Sequence, residues 1–214
     1  MSKKPARRYA LRPLEKEDLA HVSRWFLDLH DLAAFDRSSR APQCSAANQK
    51  NWASVFENSS EEGTYWFAVE SEEEKIVGMV GMQDVNLVNR DAVVALFVDH
   101  SVRRHGVGIR ATALLLDLAF RQFGLNRITS YFREDNNRSA DLMSRLGVQI
   151  EGRMRQAWYA EGKFFDMVVV GLLSSDWEKH RKSLMQELKP DTIVSFGGFI
   201  GNGWTWPPNI SKEA

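Results

Sequence analysis

Residues 91–124 read DAVVALFVDHSVRRHGVGIRATALLLDLAFRQFG, and this stretch decides the fold. Val93 to Val98 is apolar throughout and carries three β-branched valines and a phenylalanine, as suits a strand. A basic turn punctuated by glycine follows, Arg103-Arg104-His105-Gly106-Val107-Gly108. Beyond it Ile109, Ala113, Leu116 and Phe120 recur at helical spacing and form a one-sided apolar stripe. A strand that delivers such a turn to a helix start builds an anion site. Free backbone N–H groups, the positive end of the helix dipole and basic side chains converge there, and glycine lets a phosphate approach the backbone. The competing reading is a plain strand–helix connection with two solvated arginines.

The rest of the chain is read outward from that stretch. Tyr9-Ala10-Leu11-Arg12-Pro13 alternates like a short strand, and Leu19, Val22, Trp25, Phe26 and Leu29 share one face of a helix that starts near Glu15. A polar loop over 36–45 leads to a second helix carrying Ala46, Trp52, Val55 and Phe56. Tyr65 to Glu70 and Ile76 to Val85 read as an antiparallel hairpin that turns through Asn86–Asp91 into the central strand. After the central helix, Arg127 to Phe132 is a strand, and Asp135-Asn136-Asn137 supplies cap chemistry for a short helix over Ser139–Leu146. Gln149 to Tyr159 and Phe164 to Leu173 form a last hairpin, and Asp176 to Leu188 closes the chain as an amphipathic helix. Three regions result: a flexible N-terminus (1–8), one domain (9–189) and a tail rich in glycine, proline and aromatics (190–214). That tail is expected to pack on its own domain or on a second subunit, since Ile193, Phe196, Phe199, Trp204 and Trp206 would otherwise form an exposed apolar patch. The letters Asn209-Ile210-Ser211 carry no meaning without a secretory signal.

Lys+Arg and Asp+Glu are both 28 in 214 residues, so no overall charge favours nucleic acid or a membrane. No apolar run is long enough to span a bilayer, and Cys44 is the single cysteine. The five histidines lack metal-ligand spacing. A cytoplasmic, metal-free protein is the expectation.

The element order resembles that of the GNAT acyl-CoA N-acyltransferases. Within them the likeness is to ribosomal-protein N-terminal acetyltransferases and to relatives acting on polyamines and amino sugars. Arg103-x-x-Gly106-x-Gly108 resembles the family's pyrophosphate loop, and Asn136-x-x-Ser139 with Arg145-Leu146-Gly147 its following helix. Glu151-Gly152-Arg153 with Gly162 and Asp166 resembles its final hairpin, and Leu11-Arg12-Pro13-Leu14 with Asp18-Leu19 and Trp25 its opening. The resemblance implies an α/β (α+β) fold, a mixed, mostly antiparallel sheet flanked by helices. It implies acetyl-CoA as co-substrate, bound by a loop that Arg103 opens and held at its pyrophosphate by the backbone of Arg104, His105, Gly106, Val107 and Gly108. It further implies that the backbone of Phe97 and Val98 pairs with the pantetheine arm, and that Asn136 bonds the same arm or merely caps its helix.

The implied chemistry is attack of an amine on a thioester. An alkylammonium must first lose a proton, and a hydroxyl can then serve the departing thiolate. Many family members carry a tyrosine for the second task where this chain has Met143, which leaves Ser139 as the candidate donor. Glutamates that some relatives use as base are replaced here, one of them by Trp158. Asp91 and Tyr159 are the candidate activating groups, with Glu134, Asp135 or a water chain as alternatives. Trp158 could wall the acceptor site, and Arg37 and Arg40 could line it. The acceptor implied is a primary amine of a protein N-terminus or a small metabolite, and a homodimer is left open. The competing function is a GNAT-fold module that binds CoA with little turnover.

Overall fold

In the computed structural model, which describes residues 5–38, 41–52, 63–103, 105–198 and 204–208, the N-terminal run forms β1 (Arg7–Pro13). It begins two residues earlier than its alternation predicts. Arg7 to Leu11 pair in parallel with β8 (Thr192–Phe196), and the Arg7 N–H donates to the Asp191 carbonyl at 2.9 Å. β2 (Tyr65–Ser71), β3 (Ile76–Asn86) and β4 (Asp91–Val98) form the expected antiparallel meander. β5 (Arg127–Arg133) lies parallel to β4, β6 (Gln149–Ala160) and β7 (Lys163–Leu173) form the last hairpin, and β9 (Thr205–Trp206) pairs with β8. The strand order is β6-β7-β5-β4-β3-β2-β1-β8-β9. The sheet is mixed and mostly antiparallel, flanked by helices, as the resemblance implies.

The α-helices among the described residues are α1 (Leu19–Trp25), α2 (Leu29–Phe35), α3 (Ser45–Asn51), α4 (Val107–Asp117), α5 (Asn137–Arg145) and α6 (Ser174–Glu187). Adjacent strand residues face opposite sides of a sheet, and Met79 and Val80 divide the core accordingly. Val80, Met82 and Val94 pack with Ile109, Ala113 and Leu116 of α4 and Trp177 and Leu184 of α6. On the opposite face Met79, Ala68 and Phe97 pack with Leu19, Val22, Trp25, Phe26 and Leu32.

The expected first helix is in fact two. Leu29 does not continue the stripe of α1; it is 60% exposed and opens α2. Asp28 causes the break, because its carboxylate accepts the N–H groups of His30 (2.8 Å) and Asp31 (3.1 Å) and so caps a new helix. Val55, Phe56, Phe199 and the 209–211 letters lie outside the described residues.

The tail contributes strands. Val194 and Trp206 are fully buried, and the Trp206 indole N–H donates to Asp117 Oδ2 at 2.8 Å. Asp117 Oδ1 accepts from Trp177 Nε1 (3.0 Å) and Arg181 Nε (2.8 Å). One buried carboxylate at the end of α4 thus joins α4, α6 and the C-terminal segment. Immediately after it the helix widens into a π turn over Leu118–Gln122.

Candidate active site

β4 and β5 are paired only at Asp91↔Arg127, Ala92↔Ile128 and Val93↔Thr129. Beyond Val93 they part, and the Ser130 hydroxyl donates to the Val94 carbonyl (3.0 Å) at the point of divergence. Backbone direction alternates along a strand, and the Asp99 N–H donates to Val77 of β3 (2.8 Å). Odd-numbered residues of β4 therefore face β3, whereas Val94, Leu96 and Val98 turn their N–H and C=O groups into the fork. No strand among the described residues pairs with Leu96 or Val98 there. An extended amide chain entering the fork would meet them as an added strand does.

This alternation corrects one expectation. Phe97 directs its backbone at β3, and its ring is buried against Trp25 (centroids 5.0 Å apart) and Phe26 (5.1 Å). On the fork side the backbone groups belong to Leu96 and Val98, so Phe97 does not fit the pairing role expected of it. The Val98 carbonyl already accepts from Arg103 Nε at 2.8 Å, so Val98 offers chiefly its N–H.

The fork opens beside the glycine turn. Gly106 stands at the N-cap of α4 with φ 73°, a left-handed conformation, and no side chain caps the helix start. The first-turn N–H groups of Val107, Gly108 and Ile109 therefore have no partner within the helix. At Gly108 a Cβ would fall 3.3 Å from Val98 Cγ2 and 3.4 Å from Leu96 Cδ2, so glycine lets the helix start approach the strand. A glycine cradle with open amides, adjoining an unzipped strand edge, suits the pyrophosphate and amide arm of an acyl-CoA.

Not every residue of the turn points at that cradle. The His105 N–H donates to the Val102 carbonyl (3.2 Å), so the expectation of a free amide there does not hold, and its Nδ1 is buried without a hydrogen-bond partner among the described residues. Arg104 lies outside the described residues. Arg103 is turned back, with Nη2 donating to Asp31 Oδ2 at 2.9 Å, and His100 Nε2 meets the same oxygen at 2.6 Å. Asp28, Asp31 and His100 bring ligand-type atoms within 4.8 Å of one another, but the Arg103 guanidinium already supplies a cation to that group.

Asp31 is only 7% exposed and ties α2 to the loop ahead of the turn. The partners reach solvent, so the tie is worth less than a fully buried pair. Asp31→Asn is expected to cost about 2 kcal/mol of stability, read from the denaturant midpoint. A change below about 0.5 kcal/mol would show that Asp31 does not hold the two elements together.

The candidate catalytic side chains scatter. Asp91 pairs with Arg127 at the closed end of the β4–β5 pair and does not face the open fork. Tyr159 is 61% exposed near the tip of the last hairpin, against Phe164 (5.0 Å). Phe164 lies six residues along β7 from Val170, the partner of Ser130, roughly 20 Å at strand rise. Neither residue is brought to the point of divergence. Ser139 sits on the first turn of α5, directly after β5, and its hydroxyl makes no hydrogen bond among the described residues. Asn136 caps α5, its Oδ1 accepting the Ser139 N–H at 3.1 Å.

Met143 is buried among Phe132, Val168 and Val170, so the position where relatives place a tyrosine belongs to the core here. Glu134 accepts from Arg153 Nη1 (2.7 Å) and the Asp166 N–H (2.9 Å), and Asp135 accepts from Arg133 Nε (2.6 Å). Asp166 in turn accepts the Gln156 N–H (2.9 Å) and holds the bulge in β6, while the Arg127 guanidinium keeps the Glu151 carboxyl below its usual range. Those hairpin residues of the motif are structural. Trp158 is buried and donates Nε1 to the Ala33 carbonyl (2.9 Å), fastening the hairpin to α2. Arg37 Nη1 approaches Met167 Sδ at 4.0 Å, while Arg40 lies outside the described residues.

The sequence model of the acetyltransferase (GNAT) domain matches residues 8–149, about two thirds of the chain. The chain belongs to the GNAT acetyltransferase family. Acyl-CoA-dependent transfer to an amine is the reaction of that family. A putative ribosomal N-acetyltransferase of Bacillus subtilis is 28% identical over 103 residues, 48% of this chain and 56% of that protein. The match thus spans little more than half of the relative. Spermidine N(1)-acetyltransferase of Escherichia coli is 22% identical over 202 residues, 85% of this chain and 95% of that protein. Among solved structures, a spermidine N-acetyltransferase from Vibrio cholerae in complex with CoA and spermine aligns with a TM-score of 0.72 at 17% identity. That alignment covers 79% of this chain and 98% of the other, and it shows the GNAT fold.

Within this GNAT domain, Ser130, Leu96, Asp31 and Asp117 were not singled out from the sequence. Only Asp31 left a local signal, the second acid of Asp28-Leu29-His30-Asp31 at a helix start.

Proposed function

We propose that this GNAT protein is an acetyl-CoA-dependent N-acetyltransferase. Its acceptor would be the primary amine of a protein N-terminus or of a small metabolite such as a polyamine or amino sugar. The observation that carries the reading is the β4–β5 fork, where Leu96 and Val98 have no strand partner on their β5 side, opening beside the uncapped Gly106–Gly108 helix start. Acetyl-CoA supplies the thioester carbonyl that an amine attacks. Backbone N–H groups of Val107, Gly108 and Ile109 would bind its pyrophosphate, and those of Leu96 and Val98 its amide arm. One of the fork N–H groups would polarise the thioester carbonyl. Ser139 carries the hydroxyl for the departing thiolate. The ribosomal-protein and polyamine relatives support this acceptor class, and the equal counts of acid and base in the sequence select neither. The absence of a membrane-spanning helix among the described residues is compatible with a cytoplasmic setting.

Asp91 and Tyr159 stand away from the divergence point, so this reading gives neither the amine's proton. In this reading the proton leaves through a water chain ending on the fork carbonyls. A second reading, a CoA-binding module with little turnover, draws on one observation: Met143 is buried where relatives carry their tyrosine.

Thiol release from acetyl-CoA against N-terminal peptides, spermidine and amino sugars separates the two. Turnover with any of these supports the enzyme. Tight CoA binding without turnover on the whole panel supports the module, and failure to bind CoA contradicts both. For the enzyme, Ser139→Ala is expected to lower kcat about tenfold to a hundredfold with the KM for acetyl-CoA changed less than threefold. An equal loss in CoA affinity would instead make Ser139 a binding or folding residue.

A further inference from the structure

The donor turn is held from behind by the C-terminal segment, beyond the residues matched by the family's sequence model. Thr192, fully buried at the start of β8, donates its hydroxyl to the His105 carbonyl at 2.9 Å. Arg110, 3% exposed on α4, donates Nη1 to the Gly106 carbonyl at 3.0 Å and Nη2 to the Lys189 carbonyl, with Asp191 at 3.7 Å. Burial pulls the Arg110 guanidinium below the usual arginine range, and Asp191 opposes the shift in part. β8 itself is locked in place by its parallel pairing with β1.

These contacts have a directional consequence. In a planar trans peptide the C=O of one residue and the N–H of the next point in opposite directions. Fixing the His105 carbonyl on Thr192 therefore turns the Gly106 N–H away from β8. Fixing the Gly106 carbonyl on Arg110 turns the Val107 N–H away from that side chain. Both amides are thus turned to the side opposite their anchors before any ligand arrives, and a preset donor loses little freedom on binding.

We propose that Thr192 and Arg110 are positioning residues for the donor, using the C-terminal strand as a brace that aims the Gly106 and Val107 amides at the pyrophosphate of acyl-CoA. The inference rests on the donor-site reading above. It gives the aromatic, glycine-rich tail a task in ligand binding as well as in the core.

The test is calorimetric titration of the full chain with CoA. Thr192→Val, which keeps the branched shape and loses the hydroxyl, is expected to weaken CoA about tenfold. Thr192→Ser is expected to return affinity to within about twofold of the starting protein. Arg110→Gln, which ends the reach to Lys189, is expected to weaken CoA likewise. Ser195→Ala is the control for simple loss of strand stability. Ser195 lies on the same strand, 3% exposed, and donates to the Gly198 carbonyl at 2.6 Å without touching the turn. It should leave CoA affinity within about twofold while lowering the thermal midpoint. Unchanged affinity in Thr192→Val, or an equal loss in Ser195→Ala, overturns the proposal alone. Absence of CoA binding by the unaltered protein overturns the donor-site reading and this inference with it.

Discussion

Gly106→Glu is expected to weaken CoA binding at least about a hundredfold while the domain stays folded. Three effects coincide at that position. A side chain at φ 73° costs about 1–2 kcal/mol in backbone strain. The new Cβ would fall 2.3 Å from Arg110 Nη1, which must move and so release the Gly106 carbonyl. The added carboxylate then stands where the uncapped helix start attracts an anion. Strain alone predicts a fall of only a few degrees in thermal midpoint for a chain of this length. Calorimetry and a melting curve on the same sample check both parts. CoA affinity within about threefold of the unaltered protein would mean that the turn does not hold the pyrophosphate.

Asp117→Leu is expected to be the most destabilising single change, at about 3–5 kcal/mol. The residue is 2% exposed and receives two indole N–H groups and the Arg181 guanidinium. A leucine of similar size leaves those donors buried without an acceptor, which costs far more than the lost attraction. The consequence reaches the site, because Trp206 and α6 come loose together and the strand that carries Thr192 loses its cover. A fall of about 10 °C in thermal midpoint is expected by calorimetry, whereas a change below about 3 °C would contradict the role given to the carboxylate.

The donor half of the site was legible because its signals are local. The glycine spacing in Arg103–Gly108 and the apolar stripe from Ile109 onward lie within a short stretch, and turn and helix form where that stretch directs. Alternation in β4 was equally legible as a strand. Its parity was not, because which residues face the fork depends on the pairing of Asp99 with Val77. Asp28 hides inside a stripe that the spacing predicts as one helix, since a capping acid between apolar residues looks like any exposed position on it. The brace and the buried hub left no pattern at all. Thr192 meets His105 across 87 residues and Trp206 meets Asp117 across 89, and no period or motif announces contacts of that range. The last hairpin was legible as shape and misleading as chemistry. Asp166 and Glu151 match the family's letters while serving the bulge and the Arg127 contact.

Hydrogen exchange of the full chain with and without acetyl-CoA tests the central claim most directly. On the proposed donor site, the N–H groups of Leu96, Val98 and Gly106 to Ile109 should be slowed strongly on binding, with Phe97, already turned toward β3, changed little. Binding that leaves Leu96 and Val98 exchanging as before, or that protects a different face of the sheet, would contradict it.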